Sequence, residues 1–218
     1  MHGISGRCPR NIYQATSCAS RAYSDDTKST AFYTGPLSAT FRNLKIFSLS
    51  SLTLAVALTP FIFIIESPLS LSARIALAAT ALGTSASSTA LIGWCGKPYV
   101  ISMRRIPDSN AVELITTNTL LRERCTTVFD PQFLQPTPRP FATWEIPNTF
   151  TADLEPGGKR SRGNIEMITI TRDTSGSVLG QCNIEWKEEE GKLVGTVQRS
   201  GDPIRHFNVH EELLDSSL

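Results

Sequence analysis

The sequence predicts a membrane protein of the α+β class: a two-helix transmembrane hairpin followed by a small, mainly antiparallel β domain. Three observations predict it. Residues 46–65 carry no charge, residues 73–94 form a second apolar stretch, and beyond residue 95 short β-like runs alternate with Pro, Gly, Asn and Asp. At about 1.5 Å per residue, each apolar stretch can cross a hydrocarbon core of about 30 Å. The hairpin therefore occupies residues 46–94 and the β domain residues 95–218.

The first apolar stretch contains Pro60, which predicts a kink of the kind that membrane helices tolerate. The connection between the two stretches, residues 66–70, is short and polar, so the helices are expected to run antiparallel. Arg74 lies at the start of the second stretch and is expected to extend its charge to the interface.

Residues 1–23 are predicted to be a mitochondrial transit peptide. This segment contains arginines and hydroxylated residues, and no acidic residue occurs before Asp25. A basic, hydroxylated, acid-free N-terminus is typical of such leaders. The run Arg21-Ala22-Tyr23-Ser24 predicts cleavage between Tyr23 and Ser24, which leaves residues 24–45 as an N-terminal matrix segment. The alternative is an ordinary N-terminus that happens to contain arginines.

The second helix carries two lines of small residues spaced by four. Helices associate in lipid chiefly by close packing at small residues, because lipid tails are as apolar as leucine. One line can pack on the first helix and leave the other for a partner helix, or both can serve the hairpin internally. The first stripe is Ala79, Gly83 and Ser87, and the second stripe is Ala81, Ser85, Thr89 and Gly93.

The charges that flank the hairpin predict its orientation. Basic residues concentrate before the first helix and after the second, whereas the connecting turn holds only Glu66 and the marginal Arg74. By the positive-inside rule both termini lie on the same side, which in a mitochondrion is the matrix. Neither helix has a charge at its centre, which disfavours an ion or proton pathway. The flanking cations are Arg42, Lys45, Lys97, Arg104 and Arg105.

The β domain is predicted to contain two groups of strands on either side of a loop at residues 150–164. The clearest strand is 178–187, because apolar and polar residues alternate along it. Whether the two groups form one sheet or two stays open. Phe141 and Trp144 are expected to hold the proline-rich stretch 131–147 against the sheet. The predicted strands are 99–106, 111–117, 120–129, 165–172, 178–187 and 192–199.

A search for chemistry finds no catalytic signature. GxSxG, Walker and strand-linked GxGxxG motifs are absent from the sequence, and its five cysteines include no CxxC pair. His206 and His210 would share a face on a helix, but Gly201-Asp202-Pro203 before them favours a strand. The net charge of +1 gives no reason to expect nucleic acid. No catalytic residue, cofactor, metal or small-molecule substrate is therefore predicted, and the chain is predicted not to be an enzyme.

Several short motifs around the hairpin resemble the transmembrane protein 70 family. They are Tyr33-x-Gly35, Leu44-Lys45-x-Phe47-Ser48-Leu49-Ser50, Lys97-x-Tyr99-Val100, the stretch 118–129 with its Thr126-Thr127-Val128-Phe129 ending, and Phe141-Ala142-Thr143. The resemblance covers residues 33–144. It includes the related transmembrane proteins 186 and 223, and no counterpart is evident beyond about residue 150.

The resemblance implies a mitochondrial inner-membrane hairpin protein with both termini in the matrix, which forms homo-oligomers in the lipid bilayer. It further implies a chaperone-like role in respiratory complex assembly. The implied partners are transmembrane subunits, subunit c of ATP synthase first and complex I second. A structural or accessory subunit of a mature inner-membrane complex is the alternative function.

Overall fold

The structure is a computed structural model that describes residues 31–66, 68–107, 109–152, 165–189 and 192–214. The predicted transit peptide and its Tyr23/Ser24 cleavage site lie outside these residues. So does most of the predicted loop at 150–164; its first residues form a strand instead.

Two long helices form the hairpin. Helix α1 spans Ser38–Ile64 and helix α2 spans Leu71–Cys95. Both are long and apolar enough to cross a membrane, and their large side chains are mostly exposed, as Phe47 (74%) and Ile64 (73%) illustrate. Exposure on this scale distinguishes them from the core helices of a globular domain. The prediction of a helical hairpin is confirmed.

Side-chain hydrogen bonds satisfy backbone groups at the end of α1 and the start of α2. Ser70 caps α2, because its hydroxyl accepts a hydrogen bond from the amide of Ala73 at 3.3 Å. Arg74 donates to the carbonyl oxygen of Phe63 at 3.4 Å, near the C-terminus of α1, where carbonyl groups lack helical partners. Helix α1 begins eight residues before the predicted span and is about 40 Å long at 1.5 Å per residue. Its first two turns therefore project beyond a hydrocarbon core of about 30 Å.

The described residues contain eleven strands: ten follow the hairpin, and β1 lies before it, in the predicted N-terminal matrix segment, and pairs with β2. Eight form one antiparallel sheet in the order β1-β2-β3-β4-β8-β9-β10-β7, and three form a small sheet in the order β11-β6-β5. The strands are β1 (Ala31–Thr34), β2 (Val100–Arg105), β3 (Val112–Thr117), β4 (Glu123–Val128), β5 (Gln135–Pro136), β6 (Trp144–Glu145), β7 (Thr149–Ala152), β8 (Ile165–Asp173), β9 (Val178–Glu189), β10 (Lys192–Gly201) and β11 (His206–Phe207).

The pairing of β4 with β8 settles the question that the sequence left open. Thr126 lies opposite Thr171 in this pair, and their buried hydroxyls are 3.1 Å apart. Both predicted groups of strands therefore belong to one sheet. The alternation predicted along 178–187 is confirmed from Gly180 onward, since Cys182, Ile184 and Trp186 are buried and their neighbours are more exposed. Val178, at the start of the strand, is exposed instead (54%).

A single hydrophobic core joins both halves of the β domain. It includes Met103 and Leu114 from the first group of strands together with Ile184 and Trp186 from the second. Trp144 packs against this core, as expected, but Phe141 does not: it is 50% exposed. The expectation that Phe141 holds the proline-rich stretch to the sheet is therefore wrong, because its ring instead meets Trp94 at the end of α2.

Candidate functional site

The hairpin meets the sheet at a joint, formed by α1, the C-terminal end of α2, β1, β2 and the turn between β3 and β4. Lys45 lies at its centre and is only 2% exposed. Its ammonium group donates to the carbonyl oxygens of Thr117 (3.0 Å), Gly96 (3.3 Å) and Asn118 (3.3 Å), and to the hydroxyl of Thr117 (3.0 Å). Lys45 thus connects α1 to both the end of α2 and the β3–β4 turn.

Sequence reasoning treated Lys45 as one of the cations that orient the hairpin. Arg42, one turn earlier on α1, is exposed as that role requires, but Lys45 is enclosed by acceptors. A buried ammonium group is retained where several acceptors satisfy it. Its position inside the Leu44–Ser50 motif was the available signal for a structural role.

Aromatic rings and a close backbone approach complete the joint. The hydroxyl of Tyr99 accepts a hydrogen bond from the amide of Leu37 at 2.8 Å, and its ring lies 4.5 Å from that of Phe41. Burial raises the pKa of Tyr99, which keeps this hydroxyl neutral. A Cβ atom on Gly35 would lie 2.5 Å from the carbonyl oxygen of Val100, so only glycine fits there.

The second stripe faces into this joint at its C-terminal end. The hydroxyl of Ser48 on α1 donates to that of Thr89 on α2 at 2.8 Å, and both residues are buried. A Cβ atom on Gly93 would lie 2.8 Å from the side chain of Thr119 in the β3–β4 turn. Ser85 is half-buried, whereas Ala81 is exposed.

The geometry of a straight helix explains why Ala81 leaves the interface. Four residues turn an α-helix by slightly more than one revolution, so a line spaced by four drifts about 40° at every step. The face that packs on α1 instead alternates its spacing, and it includes Ala78, which is buried and belongs to neither stripe. A strict four-residue period therefore missed Ala78.

The first stripe lies outside the contact between the helices. Ala79, Gly83 and Ser87 are all exposed, and a Cβ atom built on Gly83 meets nothing within 4 Å. The hydroxyl of Ser87 donates to the carbonyl oxygen of Thr84 in its own helix at 3.0 Å. The face that these residues form thus presents little side-chain bulk and no polar group that requires a partner.

His206 and His210 do not share a helical face. His206 lies in β11, where its Nε2 is 3.0 Å from a guanidinium nitrogen of Arg139 and 3.5 Å from a carboxylate oxygen of Glu145. The amide of His210 donates to the hydroxyl of Tyr33 at 3.1 Å. Within the described ranges, no group of three or more His, Cys, Asp or Glu residues could hold a metal ion.

Most of the motifs found in the sequence thus meet at the joint. Tyr33, Gly35, Lys45, Ser48 and Tyr99 all contribute contacts to it or to the strands beside it. Residues 28–132 match the model of the TMEM70/TMEM186/TMEM223 protein family. Over this stretch, which is just under half of the chain, the chain is similar to that family. This similarity and the two apolar helices together indicate a mitochondrial membrane protein.

A curated relative also matches part of the chain. An uncharacterized protein of Schizosaccharomyces pombe is 34% identical over 95 residues, which cover 43% of this chain and 52% of the relative. The chain therefore spans about half the length of that relative. No solved structure matches the chain.

Proposed function

We propose that the chain is a non-enzymatic assembly factor of the mitochondrial inner membrane, which holds transmembrane subunits of respiratory complexes until they oligomerise. The observation that carries the proposal is the exposed first stripe on α2. Another face of the same helix already packs on α1, so the first stripe is left for a partner. Ala79, Gly83 and Ser87 leave room for the backbone of another helix to approach closely, and Gly83 has open space around it.

The proposed clients are subunits of ATP synthase, subunit c first, and of complex I. The resemblance to the transmembrane protein 70 family supports subunit c, which is itself a glycine-rich hairpin that can pack against a small-residue face. Individual contacts between helices in lipid contribute only about 1 kcal/mol, which suits a partner that must later be released. The same face can accept a second copy of this chain, so homo-oligomers are part of the proposal.

A crosslinking series on the full chain in mitochondria tests the role of the first stripe. Gly83→Leu and Ser87→Leu increase the hydropathy of α2, so membrane insertion should be unchanged or improved. Either leucine would hold a neighbouring backbone away, so capture of subunit c and self-association should both fall several-fold.

Two variants serve as controls in this series. Ser88→Leu adds the same side chain at an exposed site about 100° round the helix from Ser87. Leu54→Ile conserves volume on α1. Both should capture the client at wild-type levels. Wild-type capture by Gly83→Leu and Ser87→Leu would contradict the proposed contact face.

Fractionation of native complexes separates an assembly factor from an accessory subunit. An assembly factor should migrate with free client subunits and with its own oligomers, because it leaves before the complex is complete. Migration with finished ATP synthase or complex I would instead support the accessory-subunit function.

We further propose that both termini lie in the matrix. The exposed cations Arg42, Lys97, Arg104 and Arg105 flank the hairpin on the side of the sheet, as the positive-inside rule requires. Protease added to mitoplasts with an intact inner membrane should leave a C-terminal tag protected until detergent is added. Cleavage before detergent would reverse the orientation.

A further inference from the structure

A cleft of about 330 Å³ lies between the end of α2 and the small sheet. Three segments wall it: Trp94 and Lys97 at the end of the hairpin, the segment around Arg139, and Arg199 together with the chain from Pro203 to His206. Its volume falls within the range of small-ligand sites, about 300–1,000 Å³. Neither the contacts of the joint nor the first stripe accounts for it.

The lining of the cleft is strongly basic. Lys97, Arg139, Arg199 and Arg205 all contribute to it, and no Asp or Glu occurs among the described residues that line it. The guanidinium of Arg205 donates through both Nε and a terminal nitrogen to the carbonyl oxygen of Ile146, with the Nε bond at 2.9 Å. Arg205 is thereby held in place within the wall.

The cations of the cleft lie close enough together that each one disfavours the charged form of its neighbours. Burial, followed by the charge of Arg199, lowers the pKa of Arg205. Burial, followed by the charge of Arg139, lowers the pKa of His206, which favours the neutral imidazole at neutral pH. Glu145, whose carboxylate lies 3.5 Å from Nε2 of His206, opposes both effects but does not cancel them. An anion in the cleft would relieve the remaining repulsion.

The rim of the cleft is aromatic and lies at the end of a membrane-spanning helix. Trp94 is the penultimate residue of α2, and its ring meets that of Phe141 edge to face with centroids 6.0 Å apart. Both rings are about half exposed. Tryptophan and other amphipathic aromatic residues are enriched at the level of lipid headgroups, so the cleft opens at that level.

The backbone of Phe141 supports the importance of this rim. Its φ of 63° lies in the left-handed region, which bulky side chains rarely adopt. This conformation places the ring against Trp94, away from the protein core.

We propose that the cleft binds the phosphate of an anionic phospholipid headgroup. Guanidinium groups bind phosphate oxygens with paired, charge-assisted hydrogen bonds, and Arg139 and Arg199 line the same space with exposed side chains. Arg205 adds a positive charge that is held in the wall by its hydrogen bonds to Ile146. The exposed aromatic rim then contacts the glycerol and the upper acyl chains. The lipid bound there would hold the small sheet against the membrane surface. This site does not depend on the proposed assembly role.

Lipid binding by the full chain, purified in detergent, tests the proposal by native mass spectrometry. The probes are phosphatidylglycerol, phosphatidylcholine and inorganic phosphate. Wild-type protein should retain phosphatidylglycerol in preference to phosphatidylcholine. The variant Arg139→Gln/Arg199→Gln removes two exposed guanidinium groups and should weaken phosphatidylglycerol binding at least about tenfold.

A matched control removes two exposed lysines outside the cleft. Lys187→Gln/Lys192→Gln makes the same change in net charge and should bind phosphatidylglycerol as the wild type does. Equal losses in the two double variants would overturn the proposal in favour of general surface charge. Wild-type binding by Arg139→Gln/Arg199→Gln would overturn it as well.

Phe141→Ala distinguishes a lipid from a free phosphate. The loss of the rim contact should weaken phosphatidylglycerol binding several-fold and leave the weak binding of inorganic phosphate unchanged. If inorganic phosphate binds as tightly as phosphatidylglycerol and Phe141→Ala weakens neither, the cleft is a free-anion site and the lipid assignment is wrong.

Discussion

Thr89 and Gly93 on α2 are buried against α1 and the β3–β4 turn, whereas Gly83 and Ser87, earlier on the same helix, face outward. The residues are of the same kinds and share the same spacing on the same helix. Small residues permit close approach, but the approach occurs only where another backbone is held opposite them. On the inward side the joint supplies that backbone; on the outward side a partner must supply it.

The largest expected effect comes from the lysine that holds the joint. Lys45→Met retains the length of the side chain but leaves the carbonyl oxygens of Gly96, Thr117 and Asn118 without its ammonium group. Buried acceptors without partners cost about 1–3 kcal/mol each, so the three together should lower the free energy of unfolding by at least about 3 kcal/mol. Thermal unfolding of the purified chain in detergent measures it.

Arg42→Met provides the matched control for this change, since Arg42 is an exposed cation one turn earlier on α1. It should change the unfolding midpoint little. If the two variants unfold alike, Lys45 acts only as a surface charge, and the inward face of α2 does not depend on it.

The same substitution on the two faces of α2 tests the comparison directly. Gly93→Leu places side-chain atoms where Thr119 already lies, 2.8 Å from the first added carbon, and should cost about 1–3 kcal/mol. Gly83→Leu enters open space and should leave the free energy of unfolding unchanged. Comparable destabilisation of both variants would show that the outward face is also an internal contact.

The smallest expected effect concerns the hydroxyl pair between the helices. Thr89→Val conserves shape but removes the acceptor of the Ser48 hydroxyl, and should cost about 0.6–1 kcal/mol, as such bonds do in membranes. Ser87→Ala removes a hydroxyl that bonds only within its own helix, and should cost less. The difference between the two unfolding midpoints is the quantity to measure. If this difference is zero or reversed, the hydrogen bond between Ser48 and Thr89 does not stabilise the hairpin.

Within the β domain, local patterns predicted the strands but left their long-range pairing open. Alternation along Cys182, Ile184 and Trp186 identified the strand β9 and its buried face, because a strand presents alternate residues to each side. The pairing of β4 with β8 joins Val128 to Thr169 across a long stretch of intervening chain. No periodicity in either strand encodes that partner, since many strands of similar composition would satisfy the same edge.

At the candidate sites, the sequence predicted which kinds of residue are present but not which way each side chain faces. It identified α2 as the small-residue helix, yet a spacing of four included the exposed Ala81 and missed the buried Ala78. It assigned Phe141 to the sheet, whereas the left-handed backbone of this residue turns the ring toward Trp94. The basic cleft is lined by Lys97, Arg139 and Arg205, which come from three separate segments, so no local sequence motif predicts it.

The sequence by itself determined that two apolar helices form a hairpin and that strands follow, because length, absence of charge and alternation are local properties of the chain. Only the tertiary structure decided which small residues face α1, which lysine is enclosed and where the arginines converge. Those outcomes depend on what lies opposite each side chain. A buried acceptor near Lys45 or an empty space beside Gly83 exists only once distant segments have been brought together.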